Sequence, residues 1–488
     1  MQSPIDIIYP LKVSTDSRSA LTPLGRYFFI ALDSAWYSHF NLNPTDQATY
    51  LADRLSKGFN AITAMAIEHK FSLNKPPLDF VSNLPFTKQL GGSTYTGSPN
   101  GTTSVNGNSG QYAADNYSNA NTQSPDFTYP NSAYWDRLVT FIDSRYKEGI
   151  LVLLFPCYIG FAGGDEGWMV ELSANDAVTG AGGLAGQPYV DASKSKAWNY
   201  GAFIATRFAP YPNILWIMGG DYGSGGNSGI FTTGQKTAVD NLMQGMKSVG
   251  GTRSILFTAH WSRGSLASSV TLTNSFDLES VYTDTTPANE CRSGWSNSPA
   301  APAFNIENEY ESAAAGSAPY RKYQWWSVTC GSGLVYGQDG ANPLYFFRSG
   351  WQSQLSTQTA LDVARLIIFI QSLPWWTLVP SGLVNGAFTQ KNIITANGST
   401  SGQQDYISAT ADAAGTTCVA YIPPAWALTN FTVDMTVMRG TTTAQWFDPT
   451  NGTYTLISSS LVNTGTHTFT PPGTNSAGDT DWVLLMTS

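Results

Sequence analysis

The chain has 488 residues, of which 12% are charged and 13% aromatic, and its formal net charge is −9. This length allows two or three domains with at least one large core. The acidic balance excludes a typical nucleic-acid partner, because phosphate backbones are bound through clustered Lys and Arg side chains. The 15 Trp and 24 Tyr residues suit a carbohydrate ligand, since flat apolar rings stack on sugar faces.

Sequence features also bear on the location of the protein. No run approaches the roughly 18 apolar residues that a membrane-spanning helix needs, so we expect no membrane partner. No basic stretch followed by an apolar run opens the chain, so we expect a signal peptide to be absent or already removed. The abundance of Ser, Thr, Asn and Gly favours an extracellular or periplasmic location.

The four cysteines lack the spacing of metal ligands, and we expect neither a metal nor a cofactor. Cys157 follows a buried apolar run and is expected to be a free core thiol. Cys291 and Cys330 flank one predicted strand, which leaves a disulfide between them open.

The first 380 residues alternate short apolar runs with helical patterns, which predicts an α/β fold of the (β/α)8 TIM-barrel class. The predicted strands are 27–32, 59–66, 150–155, 213–218, 254–259, 278–282, 303–306 and 333–336. The clearest predicted helices are 44–57, 134–146, 194–207 and 359–371. We expect residues 88–125 and 157–190 to form long βα loops over the barrel mouth, with a disordered stretch as the alternative for the first.

After residue 380 the pattern changes to short alternating runs separated by turn clusters, which predicts a small antiparallel β-sandwich. The predicted strands are 417–422, 431–438, 443–447, 454–456, 466–469 and 482–486. The expected domains are therefore a barrel over residues 1–384 and a β-sandwich over residues 385–488.

Two apolar runs are each followed by a residue with a carboxylate side chain. The run Ile214–Met218 is apolar on both faces, as in a central parallel strand, and two glycines then allow a sharp turn before Asp221. Glu307 likewise lies at the end of a predicted strand. Catalytic groups of (β/α)8 barrels gather at the carboxyl ends of the strands. Two carboxylates at one mouth are the minimum equipment for glycoside hydrolysis, with one as proton donor and the other as nucleophile or base.

Other interpretations of these carboxylates stay open. Asp221 could cap a helix that follows its strand. Glu309 and Glu311 compete with Glu307 for the nucleophile role, and spacing alone excludes neither.

Short pieces along nearly the whole chain match a known family. They are Leu24-Gly25-Arg26-Tyr27-Phe28, Asp33-Ser34-Ala35-Trp36, Lys57-Gly58-Phe59-Asn60, Pro212-Asn213-Ile214-Leu215-Trp216 with Gly219-Gly220-Asp221, Glu307 with Tyr310-Glu311, Leu378-Val379-Pro380, Trp446-Phe447-Asp448-Pro449 and Asp481-Trp482-Val483-Leu484-Leu485. In these pieces the chain resembles the apiosidase-like glycoside hydrolases, family 140 and its relatives, whose barrel precedes a β-domain labelled as collagen-binding.

The resemblance implies a glycosidase with Asp221 as acid/base and Glu307 as nucleophile, and we expect retention of configuration. The low charge and the long polar loops depart from the common family pattern, so apiose specificity is not carried over. The expected substrate is a plant or microbial polysaccharide or oligosaccharide. The alternatives are a non-catalytic carbohydrate-binding or cell-surface adhesion protein on a barrel scaffold, and a lyase or transglycosidase.

Further residues on or near the predicted βα loops are expected to bind substrate. They are Asp33, Trp36, His69, Tyr158, Trp168, His260, Tyr282, Tyr310, Arg321 and Trp326. Among them, Asp33 is expected to bind sugar hydroxyls and Trp36 to form a wall of the −1 pocket. Core packing is the alternative for Trp36 and His260.

Overall fold

The computed structural model describes residues 8–68, 77–96, 124–160, 167–223, 231–249, 255–283, 286–311, 316–338, 347–424, 426 and 429–488. Three short strands open the chain: β1 (Lys12–Val13), β2 (Ala20–Leu21) and β3 (Tyr27–Phe28). They form an antiparallel sheet that precedes the barrel.

The barrel is built from parallel strands. They are β4 (Ala31–Asp33), β5 (Ala61–Met65), β6 (Leu151–Phe155), β7 (Ile214–Gly219), β8 (Leu256–His260), β9 (Glu279–Tyr282), β10 (Ala303–Glu307) and β11 (Leu334–Tyr336). Six of them pair in the order β11-β4-β5-β6-β7-β8, and β9 pairs with β10. Backbone hydrogen bonds complete the ring, from Leu278 to Phe257 (3.2 Å) and from Gly333 to Ala303 (3.1 Å). The predicted (β/α)8 barrel is therefore confirmed.

Helices surround this ring. They are α1 (Ser38–Asn41), α2 (Pro44–Ser56), α3 (Ser132–Lys147), α4 (Met169–Asp176), α5 (Lys196–Arg207), α6 (Thr233–Ser248), α7 (Pro287–Ser296), α8 (Ser317–Thr329) and α9 (Gln358–Gln371). The predicted start of α2 is confirmed: the Asn43 side chain accepts a hydrogen bond from the Asp46 backbone, and proline occupies the first turn. The predicted loop 157–190 contains α4, whereas most of the loop predicted at 88–125 lies outside the described residues.

One predicted strand, 27–32, is two strands in the structure. β3 pairs with β2, and β4 enters the barrel after a break at Phe29 and Ile30. The Asn60 side chain lies at this break, where it donates to the Phe29 carbonyl (2.7 Å) and accepts from the Ala31 amide (2.9 Å). Its amide group thus satisfies main-chain groups where the chain changes sheet.

The C-terminal region is antiparallel. Its strands are β12 (Leu378–Pro380), β13 (Val384–Asn385), β14 (Phe388–Thr389), β15 (Ile394–Ala396), β16 (Ser408–Asp412), β17 (Thr417–Ile422), β18 (Phe431–Asp434), β19 (Thr442–Phe447), β20 (Tyr454–Leu461), β21 (Thr466–Phe469) and β22 (Trp482–Thr487). A sheet in the order β12-β16-β17-β22-β19-β20 shares a core with the sheet β15-β18-β21. β12 begins before residue 384, so the C-terminal sheet takes a strand from the barrel side of the domain boundary expected from sequence.

A buried charge cluster joins the barrel to the β-domain. Arg321 of α8 is only 1% exposed and binds both oxygens of Asp481 (2.7 and 2.6 Å). It also donates to Asp362 of α9 (2.7 Å). Beside it, Trp325 stacks on Tyr421 with ring centroids 5.7 Å apart. One continuous hydrophobic core therefore runs from the barrel into the β-domain.

Two residues expected to bind substrate lie in this interface instead of at the barrel mouth. Arg321 is surrounded by the Asp cluster, and Trp326 donates its indole N–H to the Tyr406 carbonyl (3.0 Å). Both project from the middle of α8 toward the β-domain, whereas only the loops after the strands reach the mouth.

All four cysteines are buried free thiols. The possible disulfide between Cys291 and Cys330 is therefore not formed, and the free core thiol expected at Cys157 is present. Burial raises the pKa of Cys330 to about 12, so this thiol is a protonated apolar group. Across the described ranges, every helix is too short or too polar to cross a membrane.

We predict that the free energy of unfolding depends on Asp481 far more than on Asp362. Asp481→Asn leaves the buried Arg321 without its bidentate partner and should lower the free energy of unfolding by about 3 kcal/mol. Asp362→Asn should cost much less, because burial already raises the pKa of Asp362 to about 6. Urea unfolding at pH 7 measures both, and equal losses would contradict the ranking.

The raised pKa of Asp362 also predicts that the stability of the protein depends on pH. Asp362 has a higher pKa in the folded than in the unfolded chain, so its contribution to stability is present at low pH and is lost as pH rises through about 6. Comparing unfolding free energies of the wild type and Asp362→Asn between pH 5 and pH 7 should show this component only in the wild type.

Candidate active site

The chain turns sharply where β7 ends. Gly219 and Gly220 have φ angles of 96° and 130°, and Asp221 follows at φ 50°. A Cβ on Gly220 would lie 2.5 Å from the Tyr158 ring, so a side chain does not fit there. Backbone bonds hold the turn on both sides, from Gly220 to the His260 carbonyl (2.7 Å) and from Ile159 to Gly219 (3.1 Å). Asp221 is thereby fixed in the left-handed region, which non-glycine residues rarely adopt.

Glu307 ends β10 in an equally irregular way. The pairing of β10 with β9 shifts register between Asn305 and Glu307, as in a β-bulge. The Glu307 carbonyl then accepts the backbone N–H of Thr283 (2.9 Å). Bulges re-aim side chains beside active sites, and this one turns a carboxylate toward the neighbouring strand ends.

The His260 side chain connects the two carboxylate residues. Its Nδ1 accepts a hydrogen bond from the backbone N–H of Asp221 (2.9 Å), and its Nε2 lies 2.6 Å from Oε2 of Glu307. Because Nδ1 accepts, the proton of the neutral ring is on Nε2, which donates it to Glu307. His260 is 1% exposed, and both of its ring nitrogens are used within the protein, so the substrate hydrogen bond expected of it is replaced by a positioning contact.

A second donor reaches Glu307 from the other side. The Tyr310 hydroxyl donates to Oε1, and the indole N–H of Trp36 in turn donates to the Tyr310 oxygen (3.1 Å). A Cβ on Gly337 would meet the Tyr310 ring at 2.3 Å, so this glycine makes room for it. Each oxygen of the Glu307 carboxylate thus accepts a hydrogen bond, an arrangement that orients the group.

Aromatic rings surround His260. Tyr282 stacks on it (centroids 4.7 Å apart), and Trp36 and Phe155 meet it edge to face. Burial raises the pKa of Tyr282 well above its usual range, and the charges of Glu307 and Asp221 raise it further. Tyr282 thus lies within reach of the charges of both carboxylates.

Sequence reasoning missed Arg263. It lies in the loop after β8, hydrogen bonds the Tyr282 hydroxyl and forms an ion pair with Glu309 (2.9 Å). Almost half of this side chain is exposed (46%), so it is a cation at the mouth. A basic residue three positions after His260, in a chain with few charges, was the available signal.

The structure places other expected residues less close to the carboxylates. Asp33 is buried against Arg54, with 3.2 Å between Oδ2 and Nε, and burial raises its pKa although Arg54 opposes the shift. This ion pair ties β4 to α2 inside the protein, where it holds Asp33 away from solvent. Glu311 accepts from the hydroxyls of Tyr336 (2.8 Å) and Thr357 (3.1 Å), consistent with a structural role.

The remaining candidates differ in position. Tyr158 meets Trp36 edge to face (6.3 Å) and so borders the same space. The Trp168 backbone N–H donates to the Tyr158 carbonyl (2.8 Å), while its ring packs on Phe127. His69 lies outside the described residues. The carboxylate site therefore brings together Asp221, Glu307, Trp36, Tyr158, His260, Tyr282 and Tyr310.

Comparison with protein families gives two matches. The model described as "Apiosidase-like, catalytic domain" matches residues 14–377, and the model described as "Putative collagen-binding domain of a collagenase" matches residues 390–487. No curated protein matches the chain.

Solved structures show the same architecture. One described as a glycoside hydrolase has a TM-score of 0.69 at 17% identity, covering 100% of this chain and 98% of its own. A family 5 glycoside hydrolase from Bacteroides vulgatus has a TM-score of 0.68 at 16% identity, with coverage of 98% and 93%. At such identities the likeness shows the fold alone.

We predict that Gly220→Ala destabilises the protein by about 2 kcal/mol or more, because the left-handed φ is strained for alanine and the Tyr158 ring must move. Gly264→Ala is the matched control, since Gly264 also has a positive φ (79°) but open space around its Cβ position. Urea unfolding compares the two. Equal losses would mean that the close approach to Tyr158 contributes nothing.

Proposed function

This chain is a glycosidase of the apiosidase-like family, and we propose that it cleaves a glycosidic bond of a plant or microbial polysaccharide or oligosaccharide with retention of configuration. In this proposal Glu307 is the nucleophile and Asp221 the acid/base. The observation that carries the assignment is the pair of hydrogen bonds that Glu307 receives, from His260 on one oxygen and Tyr310 on the other.

These donors suit a nucleophile. A carboxylate that accepts a hydrogen bond on each oxygen is held in one orientation. His260 supplies its donor as a neutral ring, since its Nδ1 is already an acceptor for the Asp221 backbone. In this proposal Glu307 attacks as the carboxylate, held in place by the His260 and Tyr310 donors.

Glu309 fits the nucleophile role less well, because Arg263 pairs with it at the exposed edge of the mouth. Asp221 suits proton transfer through its position. Its backbone is fixed by the two glycines and by His260, so the side chain departs from a defined point at the end of β7. The imidazole ring hydrogen bonds both the Asp221 backbone and the Glu307 carboxylate, and in this proposal the two carboxyl groups act on one glycosidic bond.

The reaction then takes two steps. The Glu307 carboxylate attacks the anomeric carbon while Asp221 gives its proton to the departing glycosidic oxygen, which leaves a glycosyl ester on Glu307. In the second step Asp221, now a carboxylate, takes a proton from water, and the water oxygen attacks the anomeric carbon and releases Glu307. Each residue returns to its starting state.

Aromatic side chains at the same site support a sugar substrate. Trp36 and Tyr158 pack on each other and Tyr282 stacks on His260, so the carboxylates have aromatic neighbours of the kind that sugar sites use. A polymeric plant or microbial glycan would be met outside the cell, so an extracellular or periplasmic location accompanies this proposal.

We predict that Glu307→Gln and Asp221→Asn each lower kcat/KM by about 10³-fold or more on a glycan that the wild type cleaves, found by reducing-sugar release from a panel of plant and microbial polysaccharides. Glu309→Gln, the matched control, should keep activity within a few fold. Asp221→Asn should lose less on aryl glycosides with good leaving groups, because these need little protonation.

Two results would contradict these assignments. Unchanged activity in Glu307→Gln would move the nucleophile elsewhere, and a first-formed product of inverted configuration, seen by proton NMR, would replace the glycosyl ester with direct attack by water. Binding of glycans without any cleavage would favour a carbohydrate-binding protein.

We predict that His260→Phe lowers kcat by about 10²-fold with little change in KM, because the phenyl ring keeps the stack on Tyr282 but removes both hydrogen bonds. Tyr282→Phe is the control that keeps the stack and leaves the His260 hydrogen bonds in place. Steady-state kinetics on the cleaved glycan measure both. A wild-type kcat in His260→Phe would remove His260 from the positioning of the carboxylates.

A further inference from the structure

The indole ring of Trp36 is enclosed beside the candidate nucleophile. Trp36 lies three residues after the end of β4 and is only 3% exposed. Its ring packs on Phe155 (centroids 5.3 Å apart) and meets the rings of Tyr158 (6.3 Å) and His260 (5.6 Å) edge to face. Because these neighbours belong to the ends of β6 and β8 and the loop after β6, packing fixes the direction in which the indole N–H points.

This N–H donates to the Tyr310 oxygen (3.1 Å). An indole N–H is a donor only, so the Tyr310 oxygen must accept in this bond. The hydroxyl proton of Tyr310 is then directed at Oε1 of Glu307, the oxygen to which it is hydrogen bonded. If that proton turned toward Trp36 instead, two hydrogens would face each other. Trp36 therefore selects the direction in which Tyr310 donates.

The ring of Tyr310 is itself held at the end of β11. A Cβ on Gly337 would lie 2.3 Å from the Tyr310 ring, so the ring lies directly against the main chain there. The backbone N–H of Glu311 donates to the Gly337 carbonyl (3.0 Å), and the Gly337 N–H donates to the Tyr320 hydroxyl (2.7 Å). With the ring held in this way, the direction of the hydroxyl proton is the freedom that Trp36 removes.

Trp36 also contacts the second donor of the carboxylate. His260 donates to Oε2 of Glu307, and the Trp36 ring meets the imidazole edge to face. The donors to both carboxylate oxygens, His260 and Tyr310, thus rest against the same indole. Since only 3% of Trp36 is exposed, most of its ring surface is used inside the protein and little is left for stacking on a sugar.

Taking Glu307 as the nucleophile, as proposed above, we propose that Trp36 is a positioning residue of the cleavage reaction. Its N–H fixes the direction in which Tyr310 donates, and through Tyr310 it orients the Glu307 carboxylate for attack. A wall of the −1 pocket, which the sequence predicts for Trp36, would act mainly on substrate binding. A positioning contact acts mainly on kcat.

A double-mutant cycle on the cleaved glycan tests this role. We expect Trp36→Phe to lower kcat about tenfold and to keep KM within about threefold, because the phenyl ring lacks the N–H but retains part of the packing. Tyr310→Phe should lower kcat by about 10²-fold, since it removes the donor to Glu307 itself. The double variant should match Tyr310→Phe within about twofold, because the N–H then has no hydroxyl to orient. Trp135→Phe is the matched control: this buried indole of α3 donates to the Pro85 carbonyl (2.9 Å), and its loss should leave kcat and KM unchanged.

Nuclear magnetic resonance gives a readout that needs no activity. In protein labelled with ¹⁵N-tryptophan, the indole N–H signal of Trp36 is identified by its absence from Trp36→Phe. It should move upfield in Tyr310→Phe, where its acceptor is missing. It should also move upfield in Glu307→Gln, because a tyrosine hydroxyl that donates to a carboxylate is the stronger acceptor. The Trp135 signal should stay in place in both variants.

Three results would overturn the proposal. They are kcat losses that multiply in the double variant, a KM about tenfold higher with unchanged kcat in Trp36→Phe, and an indole signal that Tyr310→Phe leaves unmoved. The second result would make Trp36 a wall of the sugar pocket. A wild type that cleaves no glycan would instead contradict the proposed function, and the indole shifts would then decide separately whether Trp36 acts on Glu307 through Tyr310.

Discussion

The hydrogen bonds of one neutral imidazole connect the parts of the candidate active site. His260 accepts from the main chain of Asp221 and donates to the side chain of Glu307, so the position of each carboxylate residue depends on the same ring. The ring is itself fixed by the stack on Tyr282 and by the edges of Trp36 and Phe155. Since burial is nearly complete, these bonds lie in a low-dielectric region where a misplaced donor would be costly. These contacts together set the orientation of the His260 ring and of the Glu307 carboxylate.

Both carboxylates stand where the main chain leaves regular β geometry. Asp221 follows two glycines in a left-handed conformation, and Glu307 follows a register shift in β10. A regular parallel strand would direct successive side chains alternately into the barrel and toward the helices. The turn and the bulge break that alternation at the strand ends, where the Asp221 backbone and the Glu307 side chain both contact the His260 ring. The local strain is offset by backbone bonds to the neighbouring strand ends, such as the one from Gly220 to His260.

The sequence was sufficient for the barrel, the β-domain and the placement of Asp221 and Glu307 at strand ends, because apolar periodicity and glycine turns are local signals. It failed where partners are distant in sequence. Arg and Trp are residue types common in ligand sites, but Arg321 and Trp326 instead bind Asp481 and Tyr406 across the domain interface. His260 follows a strand like a substrate-binding residue, and only the fold shows that its two nitrogens are already used.

Three deeply buried arginines show how this weakly charged chain uses its cations. Arg54 pairs with Asp33 and fixes α2 to the barrel, and Arg321 pairs with Asp481 and fixes the β-domain. In both cases a carboxylate balances the buried positive charge. The ion pair can therefore orient two elements without leaving an unpaired charge inside the protein. Arg145 is equally buried but forms no ion pair with a carboxylate among the described residues. Its guanidinium donates to the Ser144 hydroxyl (2.6 Å) and lies over the Phe141 ring. A neutral oxygen and an aromatic ring therefore take the place of a counter-ion at this third arginine.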